Sequence, residues 1–182
     1  PFDDAYDLFA EQVIVGEKAG ADLIVFETMS DLYEVKAAIL AAKEHTRLPV
    51  FVTMSFEADH RTFTGCTTAS FALCAEGLGA DAIGINCSLG PDQILPIAEE
   101  LAAMSNLPLI IKANAGLPDP VTNTYSINAS GYAQMLTAFT KLPVTYVGGC
   151  CGTTPQFIRE LKKTLPETID LSLRKQRSGS YA

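Results

Sequence analysis

Apolar residues are arranged along this chain in two alternating patterns. Where apolar positions fall three or four apart, as with Ala5, Leu8, Phe9, Val13 and Val15, the period is helical. Between such segments lie short, nearly continuous apolar runs rich in β-branched residues, at 22–27, 50–56, 82–87, 107–114 and 144–147. The spacing predicts helices over 3–19, 31–45, 68–78, 91–105, 130–140 and 154–165, alternating with these five strands. End signals agree with the pattern. Asp31 and Glu34 have capping-box spacing, Pro91 and Pro155 sit at first helical positions, and Gly20 and Gly79 follow helix ends. Two polar loops interrupt the alternation, at 57–64 and 116–128.

Successive strands begin about 30 residues apart, the length of a strand–helix unit, and their unbroken apolar character is that of a parallel sheet. The predicted class is therefore α/β, built from parallel (β/α) units. Eight such units close into a barrel of about 250 residues. The chain holds five, so residues 1–170 are expected to form five of the eight strands of a TIM-type barrel, with 171–182 as a tail or linker. An open doubly wound sheet is the alternative. The strand ends favour the barrel. Glu27, Ser55 or Glu57, Cys87, Asn114 and Cys150 place a polar residue at the same end of all five strands, whereas a doubly wound sheet gathers its ligand groups at one switch point. The chain opens on Pro1 and runs straight into a helical pattern, which suggests that further sequence precedes it.

Composition narrows the function. Of 182 residues, 48% are hydrophobic and 19% charged, enough for a large core. A chain of this length buries roughly 70% of its unfolded surface, so a metal here would serve chemistry rather than folding. The net charge of −8 argues against nucleic-acid or anionic-membrane partners. The one basic cluster, Arg174, Lys175 and Arg177 beside Ser178, Gly179 and Ser180, reads as a linker. No apolar run approaches a membrane span and no signal peptide is present. Five cysteines, an odd number without an export signal, point to a reducing, cytoplasmic setting and to thiol or metal chemistry.

Cys87, Cys150 and Cys151 fall at one end of the sheet, on strands separated by a single strand. Three thiolates converging there are a zinc ligand set that leaves one position open, the catalytic pattern. A thiol entering that position would be deprotonated, which suits alkyl transfer to sulfur better than hydrolysis. Cys66 and Cys74, on or beside a helix, read as small hydrophobes. A redox pair of Cys150 and Cys151 is disfavoured, because adjacent cysteines form strained disulfides. His45, at a helix end, and His60, between Asp59 and Arg61, are not expected to be ligands.

The segments Gly84-Ile-Asn-Cys87 with Ser88-Leu-Gly-Pro91, and Val147-Gly-Gly-Cys-Cys-Gly-Thr-Thr-Pro155, resemble the zinc motifs of the homocysteine S-methyltransferase family, most of all its cobalamin-dependent branch. The resemblance spans residues 3–165 and the later five of the family's eight strands. It implies that Cys87, Cys150 and Cys151 bind Zn2+, that homocysteine sulfur takes the fourth place, and that methyl transfer yields methionine. It implies further that Asn114 can fill that place when substrate is absent, a turn-forming role before Gly116 being the alternative. Glu27 would hold the substrate ammonium. Methylcobalamin would be the donor, with cobalamin and folate handled by other domains of a parent chain. The family's opening strand and glycine-rich loop do not occur here, and the uncovered strand edges imply a homodimer of the fragment. Other readings are a cobalamin-independent thiol S-methyltransferase, a non-catalytic truncated barrel, and a Schiff-base lyase using Lys112.

Overall fold

A computed structural model describes residues 1–166. The expected alternation is present: α1 (Phe2–Lys18), β1 (Ile24–Met29), α2 (Leu32–His45), β2 (Val50–Met54), α3 (Thr68–Gly77), β3 (Ala82–Asn86), α4 (Pro91–Met104), β4 (Leu109–Lys112), α5 (Ala129–Leu136), β5 (Val144–Val147) and α6 (Pro155–Thr164). Every strand pairs in parallel with the next, and the spatial order β1-β2-β3-β4-β5 is the chain order. A doubly wound sheet reverses its order at a switch point. No reversal occurs, so that alternative is excluded and the five strands form an arc of a barrel.

The helices pack against one another in chain order along the arc. Val50, Val52 and Met54 of β2, Ile83 and Ile85 of β3, and Leu109 and Ile111 of β4 point into the layer beneath those helices. There they meet Ile39, Phe71, Ile97, Leu101 and Leu136 in one continuous core. Alternate residues face the other side. Phe51 of β2 and Tyr146 of β5 bring their rings to 5.0 Å between centroids although two strands lie between them, which is the curvature expected of a barrel wall. Gly84 accommodates the close approach of β4, since a Cβ there would stand 2.0 Å from the Ile110 carbonyl oxygen.

Several boundaries differ from those read in the sequence. The run 107–114 pairs only over Leu109–Lys112, and 50–56 only over Val50–Met54. Beyond the ladders, Phe56 is buried against Phe71, and Ala113 and Asn114 are buried beneath the site loops. The helix expected from 130 starts at Ala129, where the Asn128 side chain caps it by accepting from Gly131 N. That helix then tightens into a 3-10 turn at Thr137–Lys141. Thr154 occupies the cap position of α6 without a side-chain capping bond. The proposed tail at 171–182, with its basic cluster, lies outside the described residues. Among the described residues no helix is long and apolar enough to cross a membrane.

Candidate metal centre

Cys87 leaves β3 and the Cys150-Cys151 pair leaves β5, with β4 between them. The three Sγ atoms lie within 4.8 Å of one another, and Cys87 Sγ is 3.6 Å from Cys151 Sγ. Thiolates held at about 2.3 Å by one tetrahedral zinc stand roughly 3.8 Å apart, whereas a disulfide needs about 2.05 Å. All five cysteines are free. The spacing is thus that of ligands around a common ion. Among the described residues no other cluster of His, Cys, Asp or Glu is gathered in this way.

Backbone geometry delivers the sulfurs. Cys87 and Ser88 adopt left-handed φ values of 64° and 55°, which cost on the order of 1–2 kcal/mol each for non-glycine residues. The turn is held by Cys87 N donating to Lys112 O at 3.1 Å and Leu89 N to Cys87 O at 2.7 Å. After β5, Cys150 N donates to Ala113 O at 2.9 Å, and Ala115 N to Cys151 O at 2.9 Å. Thr153 closes the turn by donating its hydroxyl to Cys150 O at 2.7 Å. Two glycines are required there. A Cβ on Gly149 would come within 2.4 Å of Thr153 Oγ1, and one on Gly152 within 2.3 Å of Tyr125 Cγ. Beneath the pair, the buried Tyr132 hydroxyl lies 2.9 Å from both Ala113 O and Gly148 O, tying the ends of β4 and β5 together. Burial, and then the nearby Cys150, push that hydroxyl well above the usual tyrosine range.

Asn114 Oδ1 accepts from Cys151 N at 3.0 Å, so this side chain orients the cysteine loop. Glu27 forms an ion pair with Lys112 across the concave face. Ser55 Oγ meets Ser88 Oγ at 2.6 Å, and Ser88 Oγ donates to Glu57 Oε1 at 3.4 Å, so this chain of hydroxyls starts beside Cys87. His60 Nδ1 pairs with Glu100 at 2.7 Å, and His45 Nε2 with Tyr6 Oη at 3.0 Å, neither joining the cysteines. Burial pushes the Cys66 and Cys74 thiols up, as suits cysteines used for packing.

Two residues at the site were not singled out in the sequence. Asn86, the last residue of β3, contacts Thr28, Thr53 and Cys150. Its signal was a carboxamide within an otherwise apolar run, since a buried amide needs partners. Tyr125, in the 116–128 loop, stacks over Gly152. Partial burial, and then the nearby Cys151 sulfur, push its hydroxyl up. Only the fold places it there, and no local pattern marks it.

The donor set fits zinc: three soft thiolates on preset backbone, leaving a fourth position, match an open catalytic site rather than a closed structural one. A family model described as homocysteine S-methyltransferase matches residues 1–165. The methionine synthase of Mycobacterium leprae is 32% identical over 172 residues, covering 90% of this chain and 14% of that protein. That of Mycobacterium tuberculosis is 33% identical over 163 residues, covering 85% of this chain and 14% of that protein. The chain therefore spans a small part of these relatives. Among solved structures, the apo homocysteine methyltransferase MmuM of Escherichia coli superposes with a TM-score of 0.73 at 21% identity, covering 91% of this chain and 57% of that one. Its metallated form gives 0.70 at 22% identity, over 87% and 51%. Dihydrodipicolinate synthase of Oceanobacillus iheyensis gives 0.58 at 12% identity, over 94% and 52%. At such identities these likenesses bear on the fold alone.

Proposed function

The chain belongs to the homocysteine S-methyltransferase family, and from that membership we propose that it holds Zn2+ through Cys87, Cys150 and Cys151 and methylates the sulfur of homocysteine to give methionine. The observation that carries this is the mutual spacing of the three sulfurs, set by strands β3 and β5. When bound, zinc would lower the pKa of a thiol in its open position and present it as a nucleophile.

The residues of the chain then have separate tasks. The left-handed turn at Cys87 and the Gly149–Gly152 turn hold three thiolates in place before substrate arrives, a preorganisation that avoids reorganisation during reaction. Asn114 steadies Cys151 by accepting from its backbone N–H, and an Oδ1 with a second lone pair is suited to serve as the substitute ligand. Glu27 takes the substrate ammonium in exchange for Lys112, its present partner. In the reaction the homocysteine thiol proton leaves to solvent and the sulfur forms a bond to the methyl carbon. The donor keeps the electron pair of the bond that breaks. Because the chain spans 14% of methionine synthases that it resembles, the donor proposed is methylcobalamin, carried with folate chemistry by other domains of a parent chain. The need to keep three thiols reduced supports a cytoplasmic location. A Schiff-base role for Lys112 is disfavoured by its pairing with Glu27.

Metal analysis of wild type and Cys150→Ala, followed by thiol consumption with free methylcobalamin, tests this. Stoichiometric zinc in wild type, lost in the variant, and zinc-dependent loss of homocysteine thiol are expected. Unchanged zinc in Cys150→Ala overturns the ligand assignment. Zinc binding without methyl transfer from any donor would make the chain a non-catalytic module.

A further inference from the structure

Asn86 is almost wholly buried, at 1% exposure, and every hydrogen-bonding capacity of its amide is used. Oδ1 accepts from Thr28 N at 2.8 Å and from Thr53 Oγ1 at 2.7 Å. Nδ2 donates to Thr28 Oγ1 at 2.7 Å and to Cys150 Sγ at 3.7 Å. The orientation of this amide is not a free choice. Thr28 N–H can only donate, so the oxygen must face it, and the amino group is left to face the sulfur. Thr28 itself sits at φ 61°, a strained conformation for a β-branched residue, and the two bonds to Asn86 hold it there. Strained backbone, a saturated amide and the Cys150 sulfur thus form one connected unit across β1, β2 and β3.

We propose that Asn86 is a positioning residue of the metal centre, whose N–H···S bond to Cys150 both orients that thiolate and draws charge from it. The proposal rests on the zinc reading above. Cys150 then donates less charge to the ion than a thiolate without such a bond, and the site is electronically asymmetric before substrate arrives. Donors around a metal's ligands commonly set affinity by about 10–100-fold.

Asn86→Asp separates this role from a merely structural one. The carboxylate keeps the acceptor for Thr28 N and Thr53 Oγ1 and can accept from Thr28 Oγ1, so the clamp survives, but an acceptor now faces the sulfur. At pH 8, zinc affinity by competition with a chromophoric chelator is expected to fall about 10–100-fold, with thermal unfolding little changed. In the cobalt(II)-substituted protein, the sulfur-to-cobalt charge-transfer band should move to lower energy, because loss of the bond raises the sulfur lone pairs. Thr53→Val, which loosens the clamp but retains the donor, should leave the band in place. Should Asn86→Asp fail to fold, the same two readouts on Asn86→Ala decide. Wild-type affinity and an unmoved band in the Asn86 variants would overturn the proposal while leaving the zinc site standing. A wild-type protein that binds neither zinc nor cobalt would overturn both.

Discussion

Gly152 shows how narrowly single residues define the centre. Its φ is 80°, and the Tyr125 ring occupies the space a Cβ would need. Gly152→Ala should therefore cost about 1–2 kcal/mol from backbone strain, plus displacement of the 116–128 loop, measurable as a lowered urea midpoint. A midpoint equal to wild type would show that the loop yields freely. Glu27 makes a different prediction. In Glu27→Gln the KM for homocysteine should rise about tenfold, the loss of one charge-assisted hydrogen bond, while 4-mercaptobutanoate, which lacks the ammonium, should be unaffected. Equal effects on both thiols would remove Glu27 from substrate binding. The cysteines were legible because three thiols at equivalent strand ends form an uncommon pattern, and their convergence follows from parallel pairing alone. Asn86 and Tyr125 were not. The role of an amide or a phenol depends on which atoms surround it, and those come from residues 28, 53, 150 and 151.

Among the elements, the helical and strand periods of the sequence match the structure, and so do the bounds of β5, while other strands end earlier than their apolar runs. The run 107–114 extends past the strand because Ala113 is buried, yet pairing stops at Lys112. Hydrophobicity reports burial, and the ladder ends where the chain turns toward the cysteines. The opposite end of the sheet is fastened by Asp81, just before β3. Its carboxylate accepts from Val50 N at 2.8 Å and from Lys43 Nζ at 2.7 Å. Burial alone would raise this carboxyl, but Lys43 and the Val50 N–H outweigh it and hold it below the ordinary value. A depressed folded-state pKa gives stability that is present above the unfolded value of about 3.9 and lost as pH falls through the folded one. The Asp81 side chain is about half exposed and solvent screens its pair with Lys43, so Asp81→Asn should be less stable by only roughly 0.5 kcal/mol at pH 7, with the gap closing toward pH 3, as urea unfolding at the two pH values would show. An equal deficit at both would mean that the charge contributes nothing.

For the whole molecule, strand order decided what composition could not. Sequential parallel pairing with polar groups at every strand end makes an arc whose concave side carries the chemistry. Five strands leave the outer edges of β1 and β5 unpaired among the described residues, and Val25, Tyr146 and Val147 are exposed near them. Uncovered edges and apolar side chains favour association, so light scattering of the purified 19.5 kDa chain should give a mass above the monomer. A strict monomer would show that the edges are protected in another way. The proposed donor domains were beyond reach of composition or period, because nothing within a strand–helix repeat encodes its neighbours. In the proposed centre three protein sulfurs hold an ion whose remaining position accepts the substrate thiol. X-ray absorption at the zinc edge counts those sulfurs. Three sulfur neighbours near 2.3 Å are expected in the substrate-free protein and four once homocysteine is added. A sulfur count unchanged by homocysteine would contradict that arrangement.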